Sequence, residues 1–211
     1  MAVIKRGILG GFQNKIANVV GSSWKGIATM RSLPISVANP RTAPQLEARS
    51  NFSMAAKVGS SILTSIIKPL WDRFAQQESG YNAWLRANVS KFTGGMLTDP
   101  AGLIFSRGTL AVSPILTSVA DISAQTLTLT WDATVEGDAS PTDLAYVVFY
   151  GGLNEFPLGY AAVAPRSAGT VVVPISGNLP VGDTYYSYLM FRRADGTRVS
   201  NTDHFFGNMV A

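Results

Sequence analysis

Residues 124–133, AQTLTLTWDA, alternate without a break: Leu127, Leu129 and Trp131 fall on one side, and Thr126, Thr128 and Thr130 on the other. Successive side chains of a strand point to opposite faces, so this run reads as a strand with one face in a core and the other towards solvent. Further apolar runs follow at short intervals: LAYVVFYG (144–151), FPLGYAAVAP (156–165), GTVVVPIS (169–176), TYYSYLMFRRADG (184–196) and RVSNTDHFFGNMVA (198–211). Between them lie EGDASPTD, GGLNE, PRSAG, SGNLPVGD and RADGTR, rich in the Gly, Pro, Asn and Asp that turns require. Many short strands with regular turns predict a β-sandwich over residues 111–211.

The first half follows a different rule. In residues 1–38, KIANVV and WKGIATMR are short β-like runs punctuated by Gly10, Gly11, Gly21 and Gly26. They predict an extended arm or a β-hairpin with its turn near GSS, residues 21–23. Thr42, with Pro44 behind it and Gln45 three residues on, has the pattern of a helix start. Phe52, Ala55, Ala56, Gly59, Ile62, Leu63, Ile66 and Ile67 then recur at helical spacing, and Pro69 ends or kinks the helix. A short helix is expected in PLWDRFAQQ. Another is expected in SGYNAWLRANVSKFTGG, with Tyr81, Trp84, Leu85, Asn88, Val89 and Phe92 on one face and a stop at Gly94 and Gly95. Residues 97–118, broken by Pro100, Gly102, Gly108 and Pro114, read as a linker with a short strand around LIFSRGTL. The expected fold class is therefore α+β: an N-terminal β-arm or hairpin and helices over residues 1–110, then an all-β sandwich over 111–211.

Two resemblances add to this. The order TLTLTWD, LAYVVFY, GTVVVPI, TYYSYLMFRRADG resembles a fibronectin type III or immunoglobulin-like domain, with Trp131 at its core tryptophan, Tyr186 and Tyr188 on its tyrosine-bearing strand, and residues 194–196 at its last hairpin; Trp131 and Tyr188 are expected in the core between its sheets. The N-terminal half, through residues 14–20, Arg31, Pro34, residues 39–42, Gln45, Arg49 and Phe52, resembles uncharacterised bacterial proteins often encoded near phage or prophage genes; Ala17 stands where those have glycine. The second resemblance implies a phage-structural role and carries no catalytic residues.

Charge supports a binding role. Residues 1–110 hold 13 Lys and Arg against 4 Asp and Glu, a net of +9, whereas residues 111–211 hold 4 against 9, a net of −5. A basic half beside an acidic half calls for an electrostatic partner, either nucleic acid or the acidic half of a neighbouring copy. Lys15, Trp24, Lys25, Arg31, Arg41 and Arg49 are the candidate contacts: cations for acidic partners or phosphates, and an indole for apolar burial. The stripe over residues 52–66 would add apolar area.

Chemistry is poorly supplied. His204 is the one histidine, and Asp203 beside it on a strand would point to the opposite face, so no triad forms there. With no cysteine, transition-metal sites of ordinary composition are excluded. Glu136, Asp138 and Asp143 lack the spacing of a calcium loop. GILGGF has no P-loop Lys-Ser/Thr. Neither a secretory leader nor a membrane span is expected, since no apolar run reaches the required length. The expectation is a non-enzymatic structural protein without cofactor or metal. It would be made in the cytoplasm and assembled with copies of itself and other particle proteins, as a virion component. The alternatives are a nucleic-acid-associated protein using the basic arm, and a carbohydrate- or receptor-binding module using Tyr150, Phe156 and Tyr160.

Overall fold

The structure is a computed structural model and describes residues 12–36, 41–151, 156–176 and 179–211, with the backbone of residues 2–3. Residues 4–11 and 37–40, which include GILGG, Lys5, Arg6 and half of the NPRT element, lie outside the described residues.

The chain begins with a small antiparallel sheet of β1 (Ala2–Val3), β2 (Asn14–Ile16), β3 (Val19–Trp24) and β4 (Ile27–Ser32), in the order β1-β4-β3-β2. The hairpin expected here is present, but GSS lies inside β3. The turn falls at Lys25 and Gly26, both at positive φ (47° and 81°). Two consecutive left-handed residues match the twist of antiparallel strands, which is why the reversal occurs at Lys-Gly. Gly21 stays in the strand because Phe12 lies over it, and a Cβ would collide with the ring. Ala17, in the tight β2–β3 turn, adopts φ 49°, the conformation for which a glycine is ordinarily used.

Helix α1 (Ala43–Ser61) starts at Thr42, whose backbone is extended and whose side chain makes no capping hydrogen bond. Its buried face carries Ala55, Val58 and Gly59 and continues through Ile62, Ile66 and Ile67. Residues Leu63–Ile67 widen into a π turn, with Ile67 N donating to Ile62 O at 3.1 Å. Pro69 in α2 (Lys68–Trp71) cannot donate to a preceding carbonyl, and the widened turn before it accommodates that loss. Helix α3 (Gly80–Asn88) is capped by Ser79, whose Oγ accepts from Asn82 N at 3.2 Å. Gly94 and Gly95, expected as a helix stop, form the tip of a minimal hairpin between β5 (Phe92–Thr93) and β6 (Met96–Leu97), both at positive φ.

The remaining strands build two antiparallel sheets: β7 (Ile115–Asp121), β8 (Thr126–Trp131) and β11 (Thr170–Pro174) in the order β11-β8-β7, and β9 (Leu144–Gly151), β10 (Leu158–Pro165), β12 (Thr184–Arg192) and β13 (Asp203–Asn208) in the order β10-β9-β12-β13. Between them lies a core of Leu127, Leu129 and Trp131 against Val147, Phe149, Tyr185, Leu189 and Phe191. The opposite face of β9 and β12 is buried too. Tyr146, Val148, Tyr188 and Met190 meet Ile62, Ile66, Trp84 and Phe105 in a second core. Strands covered on both faces read as continuous apolar runs, as YVVF and YLMF do.

The fold is α+β, with few helices and many antiparallel strands in several sheets. Three sequence expectations need correcting. The segment LIFSRGTL forms no strand; Leu103 and Phe105 are core residues held by Thr202, whose Oγ1 accepts from Phe105 N and Ser106 N at 2.9 Å. Strand β7 takes in residues 115–118, which the sequence reads as the end of a linker. Tyr188, expected between the sheets, faces the helices and donates to Pro100 O at 2.7 Å, because its even-numbered register is that of Tyr146 and Val148.

Candidate interaction surface

The register of the N-terminal sheet decides which of the predicted contact residues meet. Lys15 pairs with Val20, and Val20 with Arg31, so the two cations flank one valine in a single cross-strand row. The next rows on that face are Ser22 with Thr29, joined by a hydroxyl hydrogen bond of 2.8 Å, and Trp24 with Ile27. One face thus runs from two exposed cations to an indole that is 58% exposed. The other face carries Ile16 (59% exposed), Val19 and Met30, also open to solvent.

Lys25 does not join that row. It sits in the turn, and its Nζ donates to the Glu78 carbonyl oxygen, tying the hairpin tip to the segment before α3. Arg41 is exposed just ahead of α1 and Arg49 lies exposed on α1, so neither is part of the hairpin.

The apolar stripe of residues 52–66 is divided. Ala55, Val58, Ile62 and Ile66 are consumed by the chain's own core, while Phe52 turns outward at 54% exposure. Phe52, Ala56, Lys57 and Phe156 line an open groove of about 600 Å³. The sequence did not single this groove out, because Phe156 is brought to α1 only by the placement of β10. Phe52 shares the helical spacing of that stripe, so its outward turn was not legible in the sequence. Tyr150, Phe156 and Tyr160, expected as exposed aromatics, are each half-buried. Tyr150 and Phe156 pack on the helix-side core, and Tyr160 donates its hydroxyl to Pro174 O.

Other polar groups are committed to structure. His204 is exposed on β13, and Asp203 Oδ2 accepts from Ile115 N at 2.8 Å. Asp138 pairs with Arg198, whose hydrogen bond holds that carboxyl below its ordinary range. Asp143 pairs with Arg166 at 3.3 Å. Burial pulls the Arg166 guanidinium below its ordinary value and Asp143 opposes this. Burial likewise pushes the Tyr188 hydroxyl far up, so it serves only as a hydrogen-bond donor. No group of three or more His, Asp or Glu among the described residues could hold a metal ion. Among the described residues no helix is long and apolar enough to cross a membrane.

Comparison with known proteins adds little beyond kinship. No curated protein matches the chain. Among solved structures, a family 76 glycoside hydrolase from a bovine Bacteroides thetaiotaomicron strain is similar at 11% identity and a TM-score of 0.29, over 47% of this chain and 21% of that one. A profile for a family of unknown function, DUF6266, matches residues 11–207, nearly the whole length, and the chain belongs to that family.

Proposed function

We propose that the protein is a non-enzymatic structural component of a larger particle, a phage virion protein of the capsid or tail, joined to neighbouring subunits through its N-terminal hairpin. The observation that carries this is the hairpin sheet with exposed apolar side chains on both faces: Ile16, Val19 and Met30 on one, where Phe12 lies over Gly21, and Trp24 with Lys15 and Arg31 on the other. A small sheet with no packed layer among the described residues is marginal in water by itself, and contiguous exposed apolar side chains mark a surface that a partner covers. Covering a Trp or Ile contributes about 1.5–3 kcal/mol each. The acidic residues 111–211 of a second copy offer the complementary charge for Lys15 and Arg31.

In this reading residues 1–110 anchor the chain and residues 111–211 form a fibronectin type III-like sandwich. What supports the latter is strand order. Counted from β7, the sheets run fifth-second-first and fourth-third-sixth-seventh, with Trp131 at the end of the second strand and packed in the core.

Size-exclusion chromatography with light scattering, run over a range of concentrations, tests the proposal. The full chain is expected to associate, and a variant carrying Ile16→Ser, Trp24→Ser and Met30→Ser to remain monomeric while keeping its melting temperature. A wild-type monomer at every concentration overturns it.

A further inference from the structure

Away from the exposed hairpin faces, a groove of about 430 Å³ opens between α2 and α3, lined by Trp71, Phe74, Glu78, Arg86 and Arg107 among others. Its size lies within the ~300–1,000 Å³ of sites that enclose small ligands. Lys25 from the hairpin tip reaches its rim, through the hydrogen bond to Glu78 O. The groove therefore combines three cations with two aromatic rings, drawn from three separate stretches of the chain.

The charges are available. Arg107 is exposed and makes no ion pair among the described residues. Arg86 is bonded to Glu78 at 2.6 Å, yet its side chain is 76% exposed and its guanidinium has five donors in all. The Glu78 carboxylate is the one acid in the lining, and it is spent on Arg86. One ring is fixed and the other open. Trp71 Nε1 donates to Phe105 O at 2.7 Å, which holds the indole at the groove wall, and Phe74 stays 36% exposed beside it.

Cations track a phosphate backbone, and ring faces accept bases whatever their sequence; the two together are how single strands are held without sequence preference. An acidic protein segment would use the arginines but has no need of exposed ring faces. We propose that this groove binds single-stranded nucleic acid, one or two nucleotides stacking on Phe74 and Trp71 while Lys25, Arg86 and Arg107 neutralise the flanking phosphates. The inference does not depend on the assembly role of the hairpin faces, because it uses none of Ile16, Trp24, Met30, Lys15 or Arg31.

The test is fluorescence anisotropy of labelled oligo-dT and oligo-U, titrated with the full chain from about 50 mM salt upward. Three phosphate contacts predict a log–log salt slope of about −2. Arg107→Gln is expected to reduce that slope by about 0.7. Phe74→Leu, which keeps apolar volume but removes the ring, is expected to weaken binding roughly tenfold with the slope unchanged. Thermal melts of both variants establish that they fold. Absence of salt-dependent binding by the wild type overturns the proposal. So does wild-type affinity in both folded variants. A polyglutamate peptide that competes as well as oligo-dT, with Phe74→Leu inert, assigns the groove to an acidic protein segment instead and equally overturns it. Light scattering on the same samples reports the assembly reading separately.

Discussion

Arg166 and Asp143 form an ion pair at 3.3 Å in which the side chains are 1% and 0% exposed. The guanidinium also donates to Ser113 Oγ and to Ala111 O, lies 4.1 Å over the Phe191 ring, and belongs to a residue whose carbonyl accepts from Trp131 Nε1 at 2.8 Å. One buried cation thus fastens the entry segment before β7 to the loop after β10 and to the core between the two sheets. Asp143→Ala leaves that cation without its counter-charge, and chemical denaturation is expected to register a loss of about 3–5 kcal/mol. Adding Arg166→Met is expected to recover a large part of it, because an apolar side chain of similar length needs no counter-ion. An Asp143→Ala variant as stable as the wild type would mean that the pair is not buried in solution.

Gly59 faces Trp84 so closely that an added Cβ would stand 2.8 Å from the indole Cζ3 and 3.0 Å from Tyr81 Cε2. Replacing a mid-helix glycine by alanine ordinarily gains about 1 kcal/mol. Here Trp84 is fully buried and has no room to yield, so overpacking of about 1–3 kcal/mol should match or exceed that gain. Gly59→Ala is expected to be neutral to destabilising and Gly59→Val clearly destabilising. A rise in melting temperature for Gly59→Ala would show that the indole moves.

The division between what could be read and what could not follows from distance along the chain. Leu127, Leu129 and Trp131 announce their strand by local alternation, and five later strands follow from apolar runs bounded by turn residues. The start of strand β7 is hidden because Pro114 and the mixed ILTS that follows look like linker; its pairing with β8 is visible only once both strands exist. The assignment of Tyr188 to the wrong core has the same origin, since β12 is apolar on both faces and period-two logic cannot tell which face meets helices. In the hairpin, composition marked Lys15 and Arg31 as contacts. Their meeting across Val20 depends on a register set by Ala17 and by the Lys25–Gly26 turn, and Ala17 and Lys25 hold positive φ without being glycine. The groove between Trp71, Phe74, Arg86 and Arg107 had no sequence signature, because its walls come from α2, α3 and a segment some twenty residues beyond α3 that meet only in the fold.

Asn88 is fully buried and closes three hydrogen bonds: its Nδ2 donates to Trp84 O at 3.0 Å and to Ile104 O at 2.9 Å, and its Oδ1 accepts from Ile104 N at 2.8 Å. This carboxamide substitutes for strand pairing along a segment that has none. Asn88→Leu keeps the volume and strands the Ile104 amide and carbonyl. The expected loss is about 1–3 kcal/mol. Hydrogen exchange at Ile104 N should accelerate along with it. If exchange there is unchanged in Asn88→Leu, the amide is satisfied by some other group.

Asp99 supplies the acid sensitivity of the same region. Its Oδ2 accepts from Lys91 Nζ at 2.8 Å and its Oδ1 from Gly102 N at 3.0 Å; these bonds, the lysine's first, hold the carboxyl below its ordinary value of 3.8. A carboxylate with a depressed folded-state value contributes stability that is fully present above its ordinary value and is lost as pH falls through the lower, folded one. The loss therefore falls below about pH 4, and at neutral pH the contribution is intact. Because the Asp99 side chain is 48% exposed, solvent screening keeps the effect to about 1 kcal/mol or less. Its structural reach is larger than its energy, since the turn it holds includes Pro100, whose carbonyl accepts from Tyr188. Asp99→Asn is expected to lower stability slightly at pH 7 and to flatten its decline between about pH 4 and pH 2. Urea unfolding at a series of pH values measures this, with tyrosine fluorescence reporting on the contact to Pro100. Parallel stability curves for wild type and Asp99→Asn through that window would place the acid sensitivity in other carboxylates, with Asp138 and its partner Arg198 the next to replace.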